Sequence, residues 1–304
     1  MLNKTWTTFF LVLFAFSHDS FAMCSADLGE PERAHSISSS PQPALIPEIW
    51  FNVFQHLELK DAMRLRGVCT EWKGKIPLAI TFLDLSKNED INDDMLTKFK
   101  NLKGLNLLYN KKITYKVIKS HTKLTCLDYN VKITDGGLKP HSNLTWLNLR
   151  GNCNITDEGV EPLINLTWLN LERNRLITDG EIKRHTNITK LTLAFNNNIT
   201  DEGVEPLINL TELDLYDNNK ITNKGLEQHT NLTKLNLGGN CNITDEGLKP
   251  HTNLTGVNLL YNKKITDKGL KPLTNLRELK LDGNKNITNE ALKQFPNLRV
   301  KRDG

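Results

Sequence analysis

A 22-residue period constrains this chain more than any other feature of its sequence. NLTWLNLRGNCNITDEGVEPL, NLTWLNLERNRLITDGEIKRH, NITKLTLAFNNNITDEGVEPL and NLTELDLYDNNKITNKGLEQH follow one another with few changes. The central LxL of the unit begins at Leu83, Leu105, Leu127, Leu147, Leu169, Leu191, Leu213, Leu235, Val257 and Leu279. Each step is 22 residues except Leu127 to Leu147, which is 20, with the deficit near Asp128, Tyr129 and Asn130. A period of this length means stacked units that are unstable singly and together bury one continuous core.

The residue types assign each part of the unit a place. LxxLxL alternates as a short strand with its leucines turned inward. Five residues after the first LxL leucine stands Asn110, Asn152, Asn174, Asn196, Asn218, Asn240, Asn262 or Asn284. A buried Asn there turns the chain and bonds the backbone of a neighbouring coil, forming a ladder. Ile-Thr then returns to the core. Thr or Asp caps a short helix, as in Thr156-Asp157-Glu158-Gly159, and Pro162, Pro206 and Pro250 keep that helix short.

These motifs resemble the leucine-rich-repeat family across roughly residues 80–300. The resemblance implies an α/β fold, a right-handed solenoid bent as a horseshoe, with its strands on the concave side. The ITDxGL element is most similar to the repeats of F-box leucine-rich-repeat proteins. A Cys usually stands in those repeats where this chain has Asn.

Upstream of the repeats the composition changes. Lys4 precedes an apolar run from Trp6 to Phe16, and Ser20 and Ala22 are small residues before a cut after Ala22. Residues 1–22 therefore read as a signal-peptide-like segment, too short to span a bilayer stably. Residues 23–43, with Ser-Ile-Ser-Ser-Ser-Pro-Gln-Pro, read as a flexible linker. Residues 44–78 have helical periodicity, and residues 79–304 hold the repeats.

LIPEIWFNVFQHLELKDAMRLRGVCTEWK, beginning at Leu45, resembles the F-box. Leu57, Leu59, Asp61, Leu65, Val68, Cys69 and Trp72 carry the spacing, and Ile46 departs from it by separating Leu45 from Pro47. The resemblance implies a bundle of three short helices. Leu65, Val68, Cys69 and Trp72 would close it. Leu45, Pro47, Ile49, Val53, Phe54 and Leu57 would dock on the Skp adaptor of a Skp–cullin–F-box ubiquitin ligase. A unit this small cannot bury a full core alone, so an apolar face is left for a partner. The other reading of residues 45–76 is a shield for the first repeat.

The outward position before each LxL reads Phe82, Gly104, Cys126, Trp146, Trp168, Lys190, Glu212, Lys234, Gly256 and Glu278. Strands pair about 4.8 Å apart, which sets Trp146 beside Trp168. Arg150, Glu172, Ala194 and Tyr216 follow the strands, with Phe195 next. Trp, Tyr and Arg dominate binding hot spots. Trp146, Arg150, Trp168, Glu172, Phe195 and Tyr216 are accordingly the expected contacts to a target protein, and a Trp–Trp stack that stiffens the short repeat is the structural alternative.

Nothing in the sequence points to catalysis. The five cysteines are scattered without CxxC spacing, so no metal ligand set and no disulfide framework is expected. His121, His141, His185, His229 and His251 alternate with Leu163, Leu207 and Leu273 at one repeat position, which predicts a half-buried amphipathic role. A net charge of +4, with both signs interspersed, gives no basic stripe for nucleic acid. No cofactor motif is present. Asn-x-Thr sequons such as Asn143, Asn154, Asn165 and Asn187 recur with the repeat, and glycans there would disturb close stacking, which weighs against eukaryotic secretion.

The F-box resemblance implies a substrate-recognition subunit of a ubiquitin ligase, a non-enzyme acting in the eukaryotic cytoplasm. The N-terminal segment implies export. A bacterial effector that enters a host cell satisfies both. The alternative is a secreted or periplasmic leucine-rich-repeat protein that binds a ligand, with residues 45–76 only capping the solenoid.

Overall fold

A computed structural model describes residues 77–88, 90–128 and 133–302. Two compact units divide the chain, residues 1–81 and 82–304. The expected signal segment, linker and F-box helices, with Leu45, Pro47, Ile49, Val53, Phe54 and Leu57, lie outside the described residues.

The second unit is an open solenoid around one parallel sheet. Its strands are β1 (Phe82–Asp84), β2 (Gly104–Asn106), β3 (Cys126–Asp128), β4 (Trp146–Asn148), β5 (Trp168–Asn170), β6 (Lys190–Thr192), β7 (Glu212–Asp214), β8 (Lys234–Asn236), β9 (Gly256–Asn258), β10 (Glu278–Lys280) and β11 (Arg299–Lys301). They lie side by side in chain order. The LxL residues stack in register, Leu147 against Leu169 and Leu169 against Leu191. At the 20-residue step, β3 and β4 pair over two residues instead of three. The eleventh strand, centred on Val300, extends the sheet beyond the ten LxL units read from the sequence.

The first LxL residue is at most 3% exposed in all ten coils. Burying a leucine side chain contributes about 1.5–3 kcal/mol, so the columns of leucine and the plug isoleucines, Ile113 to Ile287, form the core. Between strands runs a single four-residue helical turn, such as Asp157–Val160, whose C-cap Glu161 precedes Pro162. Proline at that point stops the turn from growing.

Three side-chain ladders tie the coils together. The buried Asn forms the first. Asn218 Nδ2 donates to Leu193 O (3.1 Å) and Asn196 O (2.6 Å) of the preceding coil. Its Oδ1 accepts from Lys220 N (2.9 Å) and Ile221 N (3.0 Å). The second ladder joins Asp and Thr. Asp179 accepts Thr200 N (2.8 Å) and Thr200 Oγ1 (2.6 Å) from the next coil. Thr200 also caps its own helix, whereas Thr134, Thr156, Thr178 and Thr244 make no capping bond. The threonine that the sequence assigns to capping thus works first between coils. The third ladder uses the sequon Asn: Asn165 Nδ2 donates to Ser142 O (3.0 Å), and Asn209 Nδ2 to Thr186 O (3.0 Å). These Asn residues are exposed, yet each is engaged across coils.

The Asp–Thr ladder explains the glycine of ITDEG. A Cβ at Gly203 would run into Asp179 Oδ1, with Ile182 and Ile199 close behind. Asn289 stands at the Asp position of the ladder in the turn after β10. There Arg302 donates to Asn289 Oδ1 and to Ile287 O, both at 2.8 Å.

The histidine column differs from the expectation. His121, His141, His185, His229 and His251 are 0–6% exposed, so they are core residues. Imidazole and leucine interchange there because both fill the space, and His121 bonds Val117 O (2.9 Å) and Leu96 O (3.2 Å). The ring nitrogens of His141 and His229 make no hydrogen bond of normal geometry, and only nearby backbone groups such as those of Gly137 and Gly225 face them.

Candidate protein-binding surface

The outward face of the sheet positions the six residues singled out from the sequence. Trp146 and Trp168 are direct register partners on β4 and β5. Their rings stack at 4.2 Å between centroids and 9° between planes, both half-buried. The pair therefore shields one ring face each, as the structural alternative requires, and still presents indole to solvent.

Four residues farther along the chain, Arg150 Nη2 reaches Glu172 Oε1 at 3.1 Å. Arg173 Nη1 approaches the same oxygen at 3.9 Å. The Arg173 guanidinium lies 4.5 Å from the centre of the Phe195 ring, and Phe195 tilts at 57° against Tyr216 with centroids 5.3 Å apart. Arg173 and Phe195 take positive φ, 57° and 52°, at a turn position held by Gly151 in the coil before Arg173 and by Asp217 in the coil after Phe195. Ala194, grouped with the contact residues on sequence, is 5% exposed and belongs to the core.

The expected contacts thus separate into a tryptophan stack and an arginine–aromatic ledge. Between them Asn148, Asn170, Thr192 and Asp214 occupy the last position of each strand. The Asn and Asp oxygens are used locally, as in Glu172 N to Asn170 Oδ1 (2.8 Å) and Tyr216 N to Asp214 Oδ1 (2.9 Å). Burial pushes the Asp214 carboxyl up, with the Tyr216 amide and Asn236 acting against it.

Two features were not singled out from the sequence. Arg173 is one. The other is a charge ladder on β6 to β8, where Glu212 Oε1 lies 3.1 Å from Lys190 Nζ and 3.4 Å from Lys234 Nζ. Burial pushes the Glu212 carboxyl up, but the hydrogen bond and charge of Lys190, together with Lys234, outweigh it and hold it below its ordinary value. The Lys-Glu-Lys alternation at one repeat position was the available signal. The ladder lines an open groove of about 290 Å³ that runs along the sheet face from Trp168 past Gly256 to Lys280.

Burial pushes the Cys126 thiol up, only partly offset by its hydrogen bond with Thr125, which disfavours the thiolate. Among the described residues no group of three His, Cys, Asp or Glu could hold a metal ion. No described helix is long and apolar enough to cross a membrane.

A family model for the F-box domain matches residues 44–76. A leucine-rich-repeat model matches residues 141–164, 184–208, 207–227, 228–250, 251–273 and 273–295. The chain is an F-box leucine-rich-repeat protein. Both parts of such a protein are interaction modules. No curated protein matches this F-box leucine-rich-repeat protein in sequence. Among solved structures, it is similar to an internalin (inlF) from Listeria monocytogenes, at 26% identity and a TM-score of 0.60, over 81% of this chain and 75% of that one. It is also similar to a chain of the Rad7–Elc1 complex in yeast, at 17% identity and a TM-score of 0.51, over 76% and 77% of the two chains. A chain of the TLR13–ssRNA13 complex matches at 21% identity and a TM-score of 0.52, over 74% of this chain and 39% of that one. The last two likenesses are likenesses of fold alone.

Proposed function

We propose that this protein is the target-recognition subunit of a Skp–cullin–F-box ubiquitin ligase. Residues 44–76 hold the Skp adaptor, through Leu45, Pro47, Ile49, Val53, Phe54 and Leu57. The sheet face of the repeats holds a target protein, through Trp146, Arg150, Trp168, Glu172, Phe195 and Tyr216. The chain performs no chemistry itself, and ubiquitin transfer belongs to the other subunits. The observation that carries the reading is the pairing of an F-box with a repeat face rich in half-exposed Trp, Arg and Tyr, the residue types of binding hot spots. F-box proteins work in the cytoplasm or nucleus of eukaryotic cells. The apolar run from Trp6 to Phe16 fits delivery into such a cell from a bacterium.

The same run supports a second reading, an exported repeat protein that binds a ligand and uses residues 45–76 as a cap. Calorimetric titration of the Skp adaptor into the full chain decides between them. Binding that is lost in a Val53→Ala/Phe54→Ala variant supports the ligase subunit. No binding by the folded wild type supports the exported protein.

A further inference from the structure

The end of the ledge beyond β4 and β5 carries more positive charge than it neutralises. Arg150 and Arg173 share a single carboxylate, that of Glu172, at 3.1 and 3.9 Å. The Glu172 side chain is only 12% exposed, whereas Arg150 and Arg173 are 50% and 56% exposed. One anion thus holds two cations in place and leaves one positive charge in excess. Arg173 is further fixed by the Phe195 ring beneath it, and Phe195 by Tyr216. A guanidinium stacked in this way keeps its N–H edges for a partner and loses little freedom on binding.

The surroundings favour the same sign. The turns that follow the strands carry exposed Lys111, Lys112, Lys220, Lys263 and Lys264. The helical turns next to them begin with acidic pairs such as Asp157-Glu158 and Asp201-Glu202. The balanced charge of the whole chain therefore hides a segregation by repeat position. A negatively charged segment is drawn to the turn side of the sheet face and turned away from the helix side.

Resting on the reading that the sheet face takes a target protein, we infer that the ledge docks an Asp/Glu-rich segment of that target. Carboxylates of an extended stretch pair with Arg150 and Arg173. An adjacent apolar or aromatic side chain covers Phe195 and Tyr216. The ledge crosses β4 to β7, three strand spacings or about 14 Å, which an extended peptide of about four residues spans. Asp217, with φ of 48°, adds a carboxylate beyond Tyr216 and excludes acidic residues from the aromatic end. The segment therefore has a direction, acidic toward Arg150 and apolar toward Tyr216.

The test is selection of displayed random 12-residue peptides on the full chain, followed by fluorescence polarisation with the enriched peptides. Enriched sequences are expected to combine Asp or Glu with a neighbouring aromatic or aliphatic residue. Their affinity should fall at least tenfold in Arg173→Gln, and at least tenfold between 50 and 500 mM salt, with Arg173→Lys in between. Arg173 is more than half exposed, so thermal unfolding of these variants should match the wild type, and Arg150→Gln serves as a second variant. Enrichment of neutral or basic peptides, or of none, overturns the inference. So does binding within twofold of wild type in Arg173→Gln, or a requirement for phosphorylated peptides or for single-stranded RNA. The adaptor titration on the same preparation separates the two ideas. Acidic peptides without adaptor binding would remove the ligase reading and leave the ledge, and the reverse result would remove only the ledge.

Discussion

Replacing Asn218 by Ala tests whether the asparagine ladder holds the coils together. Four hydrogen bonds are lost, two donated to Leu193 O and Asn196 O and two accepted from Lys220 N and Ile221 N. The Leu193 carbonyl keeps the Asn196 amide at 3.1 Å. The Asn196 carbonyl and the amides of Lys220 and Ile221 lose the ladder partner, and Asn196 and Ile221 are fully buried. An orphaned buried polar group costs about 1–3 kcal/mol, so the substitution should cost about 3–5 kcal/mol. That is a large share of the stability of a typical domain, about 5–15 kcal/mol. Because each coil touches only its neighbours, the loss falls between the halves of the array and should also lower the urea m-value. Urea unfolding followed by far-UV circular dichroism measures both. Asn197→Ala, at the exposed position after the equivalent Asn196 of the preceding coil, should stay within about 0.5 kcal/mol of wild type. If Asn218→Ala costs under about 1 kcal/mol, the side chain only fills space and the ladder account is refuted.

Three further outcomes follow from the same structure. Gly203→Ala should destabilise by about 1–3 kcal/mol in the same assay, because the new methyl displaces Asp179 from Thr200, whereas Gly180→Ala, with only Thr178 Oγ1 nearby at 3.3 Å, should be far milder. Acid should weaken the solenoid: burial, then the neighbouring His251, hold His229 at about 4, below the ordinary value of 6.5. Between those values the unfolded chain binds the extra proton, so stability is complete above pH 6.5 and falls as pH drops toward 4. His229 alone should cost about 2 kcal/mol at pH 5, and burial lowers His141 and His251 in the same direction. His229→Leu, which copies Leu207 and Leu273, should flatten the dependence in urea titrations at pH 7.5 and 5. Trp146→Ala should leave the unfolding midpoint within about 1 kcal/mol and weaken peptide capture if the stack contributes to binding, with unchanged affinity assigning it a stiffening role.

Much of the fold is legible in the sequence because a 22-residue period forces each residue type into one place. The leucine columns, the inward Asn and the adjacency of Trp146 and Trp168 all follow from spacing alone. What spacing does not reveal is which partner a polar side chain chooses. Thr200 reads as a helix cap, and its stronger bonds go to Asp179 a coil away. Asn165 reads as a sequon, and its amide ties one coil to the last. His229 alternates with leucine because a buried column accepts either shape, which the sequence reads as half-burial. The binding face was legible as a set of residue types. The arginine ledge was not, because Arg173 and Phe195 stand at a left-handed turn position that propensity disfavours for non-glycine residues.

The central claim is that one chain joins a ubiquitin ligase to a target. The most direct measurement is ubiquitin transfer in a reconstituted Skp–cullin–RING assembly, with a reporter protein fused to a peptide selected on the full chain. The account predicts modified reporter with the wild type, and little with either Val53→Ala/Phe54→Ala or Arg173→Gln. Equal modification with and without the chain, or modification indifferent to both variants, would contradict it.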